Sequence, residues 1–204
     1  MTVGDVLDPM AAAAAVGTFA ELVTTMRGCV ACPELAASRT QVVPGVGPPG
    51  ADVLLIGEAP GAQEDATGIP FVGRSGQLLD RLLEEVGLPR DRVAVGNVLR
   101  CRPPGNRTPR RAEVERCRPW LARQIELVDP AVVVALGGTA AQWFFGAGAR
   151  IASLRGQDLT YARRSVVVTY HPSAAIRFGP RGEPLAALRA DLAAVARRAE
   201  QERR

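Results

Sequence analysis

The chain has no lysine: all 25 of its basic residues are arginine. A guanidinium stays protonated and is no amine nucleophile, so Schiff-base catalysis by a lysine is excluded. Histidine is nearly absent too, with His171 the only one in 204 residues. No apolar run approaches the roughly 20 residues of a membrane-spanning helix. A secretory signal would begin with basic residues, but Asp5 and Asp8 precede the alanines at 11–15. The expected location is therefore cytoplasmic, with no membrane partner. Cysteine occurs four times, as Cys29, Cys32, Cys101 and Cys117.

In a reducing compartment four cysteines are poorly explained as two disulfides. They read better as one site. Cys29 and Cys32 form a Cys-x-x-Cys pair, and Cys101 and Cys117 flank an Arg-rich loop. Four thiolates suit either zinc or a 4Fe–4S cluster, and spacing does not choose between them. Such a site would join the N-terminal segment to the loop, which is a structural role.

Four apolar runs have the length and β-branched content of buried strands. They span 52–57, 93–99, 131–136 and 165–170. Helical spacing of apolar residues recurs between and after them, over 75–86, 109–128, 138–145 and 185–200. Strand–helix alternation predicts a three-layer α/β/α fold with a central four-stranded, mainly parallel sheet. Residues 1–26 read as a flexible or helical start and 27–204 as a single domain.

Each strand ends in polar or glycine-rich sequence: Gly57-Glu58-Ala59-Pro60-Gly61, then Asn97, then Gly137-Gly138-Thr139, then His171-Pro172-Ser173. Ligands of open parallel sheets bind beyond the carboxyl ends of the strands, so Glu58, Asn97 and His171 should share one crevice. His171 could donate a hydrogen bond to an oxygen that gains negative charge. Asn97 offers a donor and an acceptor together, which suits the polar edge of a pyrimidine. Glu58 could orient a water or hold its loop, with Glu64 and Asp65 supporting the same turn. Phe71, one of five phenylalanines, lies in a glycine-flanked loop and could stack on a base. The 57–61 turn lacks the Gly-Lys-Ser/Thr ending of a P-loop and the spacing of a dinucleotide fingerprint.

Net charge is only +4, but residues 100–123 hold eight arginines against two glutamates. A stripe of this kind suits a phosphate backbone.

In order and spacing, these pieces resemble the family 4 uracil-DNA glycosylases, which carry an iron–sulfur cluster. The matching residues are Cys29-x-x-Cys32, 57–61 with Glu64 and Asp65, 68–76 around Phe71, 97–109 from Asn97 through Cys101 and Asn106, 115–121 with Cys117, and His171-Pro172-Ser173. The resemblance implies a uracil-DNA glycosylase-like fold and a monofunctional hydrolase of base excision repair. It implies a 4Fe–4S cluster on Cys29, Cys32, Cys101 and Cys117. It implies a uracil pocket of Gly57, Glu58, Ala59, Phe71, Asn97 and His171, with His171 steadying charge at O2. Glu64 and Asn106 would be mutually supporting loop residues. Ala59 stands where some relatives carry a water-activating Asp, which leaves Glu58 as the candidate. Ile176 is the candidate wedge for the vacated base stack.

The implied partner is uracil-containing DNA, single- or double-stranded, bound by a monomer. A sliding clamp or another repair protein is left open as a partner. Two other readings compete. A uracil-DNA-trapping protein would use a histidine in the Arg-rich loop, but residues 102–111 contain none. An iron–sulfur redox or scaffold protein would have no use for Phe71, Asn97 and His171 together.

Overall fold

The computed structural model of the protein describes residues 7–48 and 50–202. Residues 1–6 of the expected N-terminal segment, Asp5 among them, lie outside the described residues. Its secondary structure begins with α1 (Pro9–Ala15), α2 (Phe19–Arg27) and α3 (Pro33–Ser38). Strand β1 (Val53–Gly57) follows, then α4 (Ala62–Thr67), α5 (Arg74–Glu85) and β2 (Val93–Asn97). Next come α6 (Arg111–Val128), β3 (Val132–Leu136), α7 (Gly138–Phe145) and α8 (Ile151–Leu154). The chain closes with β4 (Leu159–Tyr161), β5 (Arg164–Thr169), α9 (Pro172–Phe178) and α10 (Glu183–Glu202).

The sheet order is β2-β1-β3-β5-β4. Strands β2, β1, β3 and β5 are parallel, as strand–helix alternation predicts. They are the four expected runs, ending within two residues of the expected bounds. The difference is a fifth strand. β4 pairs antiparallel with β5 at the edge, Leu159 opposite Val166 and Tyr161 opposite Arg164. Its two-residue turn is Ala162-Arg163, both with positive φ, 46° and 68°. That backbone matches a primed hairpin turn, whose usual sequence signal is Asn-Gly or Asp-Gly. Ala-Arg carries no such signal, so the hairpin was not legible.

Alternation along each strand divides the core. Val53, Leu55, Val93, Val95, Val132 and Val134 pack on one face against Leu79, Leu82 and Leu83 of α5 and Leu188, Leu192 and Val195 of α10. Leu54, Ile56, Ala94, Val133, Ala135, Val166 and Val168 pack on the other against Leu121 and Ile125 of α6 and Trp143 of α7. Strands covered on both faces read as unbroken apolar runs, hence their visibility in the sequence.

A third apolar cluster joins α1 and α2 to the body of the fold. Ala13, Val16, Leu22 and Met26 pack with Leu35, Leu99, Trp120, Cys101 and Cys117. A capping box starts α2: Glu21 N–H donates to Thr18 Oγ1, and the Glu21 carboxylate accepts from Thr18 N–H. Among the described residues no helix is long and apolar enough to cross a membrane.

Candidate active site and cysteine centre

Beyond the carboxyl ends of the strands lies a cavity of about 550 Å³. It is lined by Glu58, Ala59, Phe71, Asn97 and His171 among others, and at its mouth by Arg74, Asn106 and Arg107. The three strand ends named by pattern therefore do converge.

Asn97 closes β2 and is 2% exposed. Its side-chain amide has no hydrogen-bond partner in the protein among the described residues. The amide lines the cavity, where its donor and acceptor are open to a ligand's polar edge. Gly57, paired with Asn97 in the sheet register, explains how the amide stays accessible. A Cβ on Gly57 would stand 2.5 Å from both Asn97 Oδ1 and Phe71 Cζ. Glycine there keeps open the slot between the amide and the ring.

His171 is the N-cap of α9. The Ser173 backbone N–H donates to His171 Nδ1 at 3.1 Å. Nδ1 must therefore be the unprotonated nitrogen, and the ring proton resides on Nε2. Burial pushes the imidazole pKa down to about 4, opposed by the Glu64 carboxylate. The ring is thus neutral at pH 7 and offers Nε2–H as a donor.

Phe71 lies beside it, ring centroids 5.6 Å apart. The ring is 6% exposed; it is part of the core and of the cavity wall at once. Its backbone φ is +55°, a strained conformation for a bulky residue. The surroundings hold it there. Arg90 Nη2 donates to Pro70 O at 2.7 Å. Glu64 Oε1 accepts from Val72 N–H and Gly73 N–H, and Glu64 Oε2 from Gly61 N–H. Gly76 completes the clamp, because a Cβ there would lie 1.7 Å from the Phe71 carbonyl oxygen.

Glu64, rather than Glu58, therefore holds the loops through backbone amides, joining the 57–61 turn to the Phe71 loop. Asp65, 3% exposed, instead accepts from Thr40 N–H. Glu64 and Asn106 both line the cavity, but no bond joins them. Asn106 accepts from Arg102 Nε at 2.8 Å, so each supports a different loop and the expected mutual support is not formed. Glu58 is half-buried, and its Oε2 accepts from Thr139 Oγ1.

The Arg-rich stretch is not one free cationic face. Arg107 pairs with Glu113 and Glu34, Arg110 with Glu34, Arg118 with Glu115, and Arg123 with Glu126. Arg100 is buried. Arg102, Arg111 and Arg116 have no carboxylate partner among the described residues. On α9, Ile176 is only partly exposed, while Phe178 stands 63% exposed with the Arg177 guanidinium 5.6 Å above its ring. The exposed apolar residue of α9 is Phe178, which the sequence reading missed, at the helix end away from the cavity-lining His171 and Ser173; its signal was a large aromatic at the end of a short helix.

A second, small cavity is lined by all four cysteines together with Arg39, Arg100 and Arg116. The cysteines are free. Among the described residues, no group of three or more His, Cys, Asp or Glu side chains is placed to hold a metal ion. Burial pushes Cys101 up to about 11, against the nearby Arg39, and Cys117 up to about 12, against Arg100. Arg39 Nη1 donates to Cys101 Sγ at 2.9 Å and Nη2 to Cys29 O at 2.6 Å. Arg100, 1% exposed, bonds only to the neutral Pro44 O and Gln124 Oε1, and its Nε has no partner. A buried guanidinium without a carboxylate is costly. Deprotonated sulfur ligands beside it would supply the missing negative charge, so the donor set fits a thiolate-bound group.

Comparison with known proteins places these residues in context. The family model "Uracil DNA glycosylase superfamily" matches residues 44–193. A type-4 uracil-DNA glycosylase of Thermotoga maritima is 44% identical over 154 residues, which is 74% of this chain and 80% of that protein. One from Archaeoglobus fulgidus is 40% identical over 164 residues, covering 76% and 82%. A type-5 uracil-DNA glycosylase of Thermus thermophilus is 36% identical over 146 residues, covering 56% and 66%.

Proposed function

The chain belongs to the uracil DNA glycosylase superfamily, and we propose that it is a monofunctional uracil-DNA glycosylase of base excision repair. The observation that carries this is the Asn97 side chain lining the same cavity as the neutral imidazole of His171.

A uracil inside a duplex is out of reach until it is flipped from the stack. Once in the cavity, it stacks on Phe71 and meets the Asn97 amide with its O4 and N3 edge. As the C1′–N1 bond breaks, its electron pair moves onto the base. His171 Nε2–H donates to O2, where that charge collects. A neutral donor of this kind is already oriented and needs no reorganisation during the step. Water then attacks C1′, and the absence of lysine leaves no lysine amine to form a lyase intermediate. Arg102, Arg74 and Arg111 are among the arginines without a carboxylate partner among the described residues and are placed here as phosphate contacts. Phe178, in place of Ile176, is the side chain suited to enter the vacated stack.

Cys29, Cys32, Cys101 and Cys117 would hold a 4Fe–4S cluster. When bound, it supplies a covalent tie between α3, the loop after β2 and α6. Arg100, buried at this centre without a carboxylate, would then gain a counter-charge.

The test is release of uracil from a labelled oligonucleotide containing one uracil, with and without alkali. Strand scission only after alkali is the expected result. A slow-migrating covalent band would indicate a trapping protein, and neither signal from cluster-loaded protein would favour a redox or scaffold role. Localisation in the cytoplasm and action as a monomer belong to the same proposal.

A further inference from the structure

Glu58 has one protein partner for its carboxylate, and it comes from a different strand end. Thr139 lies in the first turn of α7, directly after β3. Strands β1 and β3 are parallel neighbours, so Gly57-Glu58 and Gly138-Thr139 emerge side by side. Thr139 Oγ1 donates to Glu58 Oε2 at 2.5 Å. Glu58 Oε1 has no hydrogen-bond partner among the described residues, and Glu58 lines the cavity. The Glu58 backbone is fixed as well, its carbonyl accepting from Leu99 N–H at 3.0 Å.

A glutamate side chain has several rotatable bonds and, unrestrained, spreads over many rotamers. One hydroxyl bond to one oxygen removes most of that freedom and leaves the other oxygen presented to the cavity. We propose that Thr139 is a positioning residue for hydrolysis: its hydroxyl holds Glu58 so that Oε1 faces the attacking water. This rests on the glycosylase reading above and on Glu58 as the water's acceptor. In the step, C1′–N1 breaks and its electron pair leaves with uracil. The water oxygen bonds to C1′, and the water proton passes to Glu58 Oε1. Departing uracil or bulk water then takes that proton, returning the carboxylate. Positioning matters here because misplacement by about 1 Å can cost on the order of 100-fold.

Single-turnover excision should be measured for wild type, Thr139→Val, Thr139→Ser, Glu58→Gln and the Glu58→Gln/Thr139→Val double variant. Binding to DNA carrying uncleavable 2′-fluoro-deoxyuridine should be measured alongside. The expected result is a fall of roughly 10- to 100-fold in excision for Thr139→Val, with binding unchanged and most of the rate restored by Thr139→Ser. In the Glu58→Gln background, Thr139→Val should add no further loss, since the two act as one unit. Equal rates for wild type and Thr139→Val would overturn the proposal, as would a full additional loss in the double variant. If Thr139→Val does not fold, a Thr139→Ser rate near wild type with an additive loss for Thr139→Ala over Glu58→Gln also overturns it. Failure of the glycosylase reading looks different: wild type itself would release no uracil.

Discussion

The two cavities of this molecule are built on opposite principles. The one beyond the strand ends presents idle polar groups: the Asn97 amide reaches the cavity without a protein partner among the described residues, and His171 is neutral with its free N–H turned from the Ser173 bond. The cysteine cavity instead gathers four thiols and three arginines. Its thiols are pushed up in pKa by burial, and Arg100 lies buried without a carboxylate. A site for a ligand that must leave keeps its donors preset and idle. At the cysteines, the proposed thiolate-bound group would balance the buried charge.

Breaking the first cavity should have the largest effect. Asn97→Ala and His171→Ala should each lower single-turnover excision by on the order of 10²–10³-fold, the range seen when a preset donor to a developing charge is removed. Iron content and thermal stability should stay near wild type, which separates the two cavities. Equal loss of iron in these variants would show that they are coupled.

Breaking the second should reverse the pattern. Cys101→Ser should remove the visible absorbance and iron of purified protein. Loss of a few kcal/mol of ligand stabilisation corresponds to a Tm fall on the order of 5–10 °C for a chain of this length. A Tm unchanged by Cys101→Ser would mean that the centre does not tie the fold.

The comparison sharpens at Glu64, which belongs to the first cavity but touches no proposed reacting atom. Glu64→Ala strands three backbone amides, each worth about 1 kcal/mol. It should cost roughly tenfold in excision, with a modest loss of stability by urea unfolding. Iron content should not change.

The pH response follows from His171. Its folded pKa, about 4, lies below the ordinary 6.5, so between these values the unfolded chain binds a proton that the folded chain does not. This contribution to stability is full above pH 6.5 and is lost progressively as pH falls toward 4. Urea unfolding of wild type against His171→Gln should show that slope only in wild type. Nitrogen NMR at pH 6 should find a neutral ring with its proton on Nε2.

The smallest effect is expected at the rim. Phe178→Ala should lower excision from duplex DNA a fewfold and from single strands less, because only the duplex leaves a stack to fill. An equal effect on both substrates would remove the wedge role.

Much of this was legible before any coordinates. The four parallel strands are visible because burial on both faces makes them continuous apolar runs, and their polar ends mark Glu58, Asn97 and His171. The cysteines are visible because they are so few. What escaped is informative. β4 was missed because its Ala162-Arg163 turn adopts positive φ without the usual residues. The Arg-rich stretch looked like a free basic face, whereas Glu34, distant in sequence, neutralises Arg107 and Arg110. Ile176 drew attention by its place after His171, but packing leaves Phe178 exposed instead.

The sequence by itself determined the four parallel strands, the strand-end crevice, the cysteine set and the exclusion of lysine chemistry, because these depend on residue type and short-range periodicity. Only the tertiary structure decided which nitrogen of His171 holds the proton, which glutamate clamps the Phe71 loop, and that Thr139 reaches Glu58. Those facts depend on contacts between residues far apart in the chain, whose distances and hydrogen-bond directions no local pattern encodes.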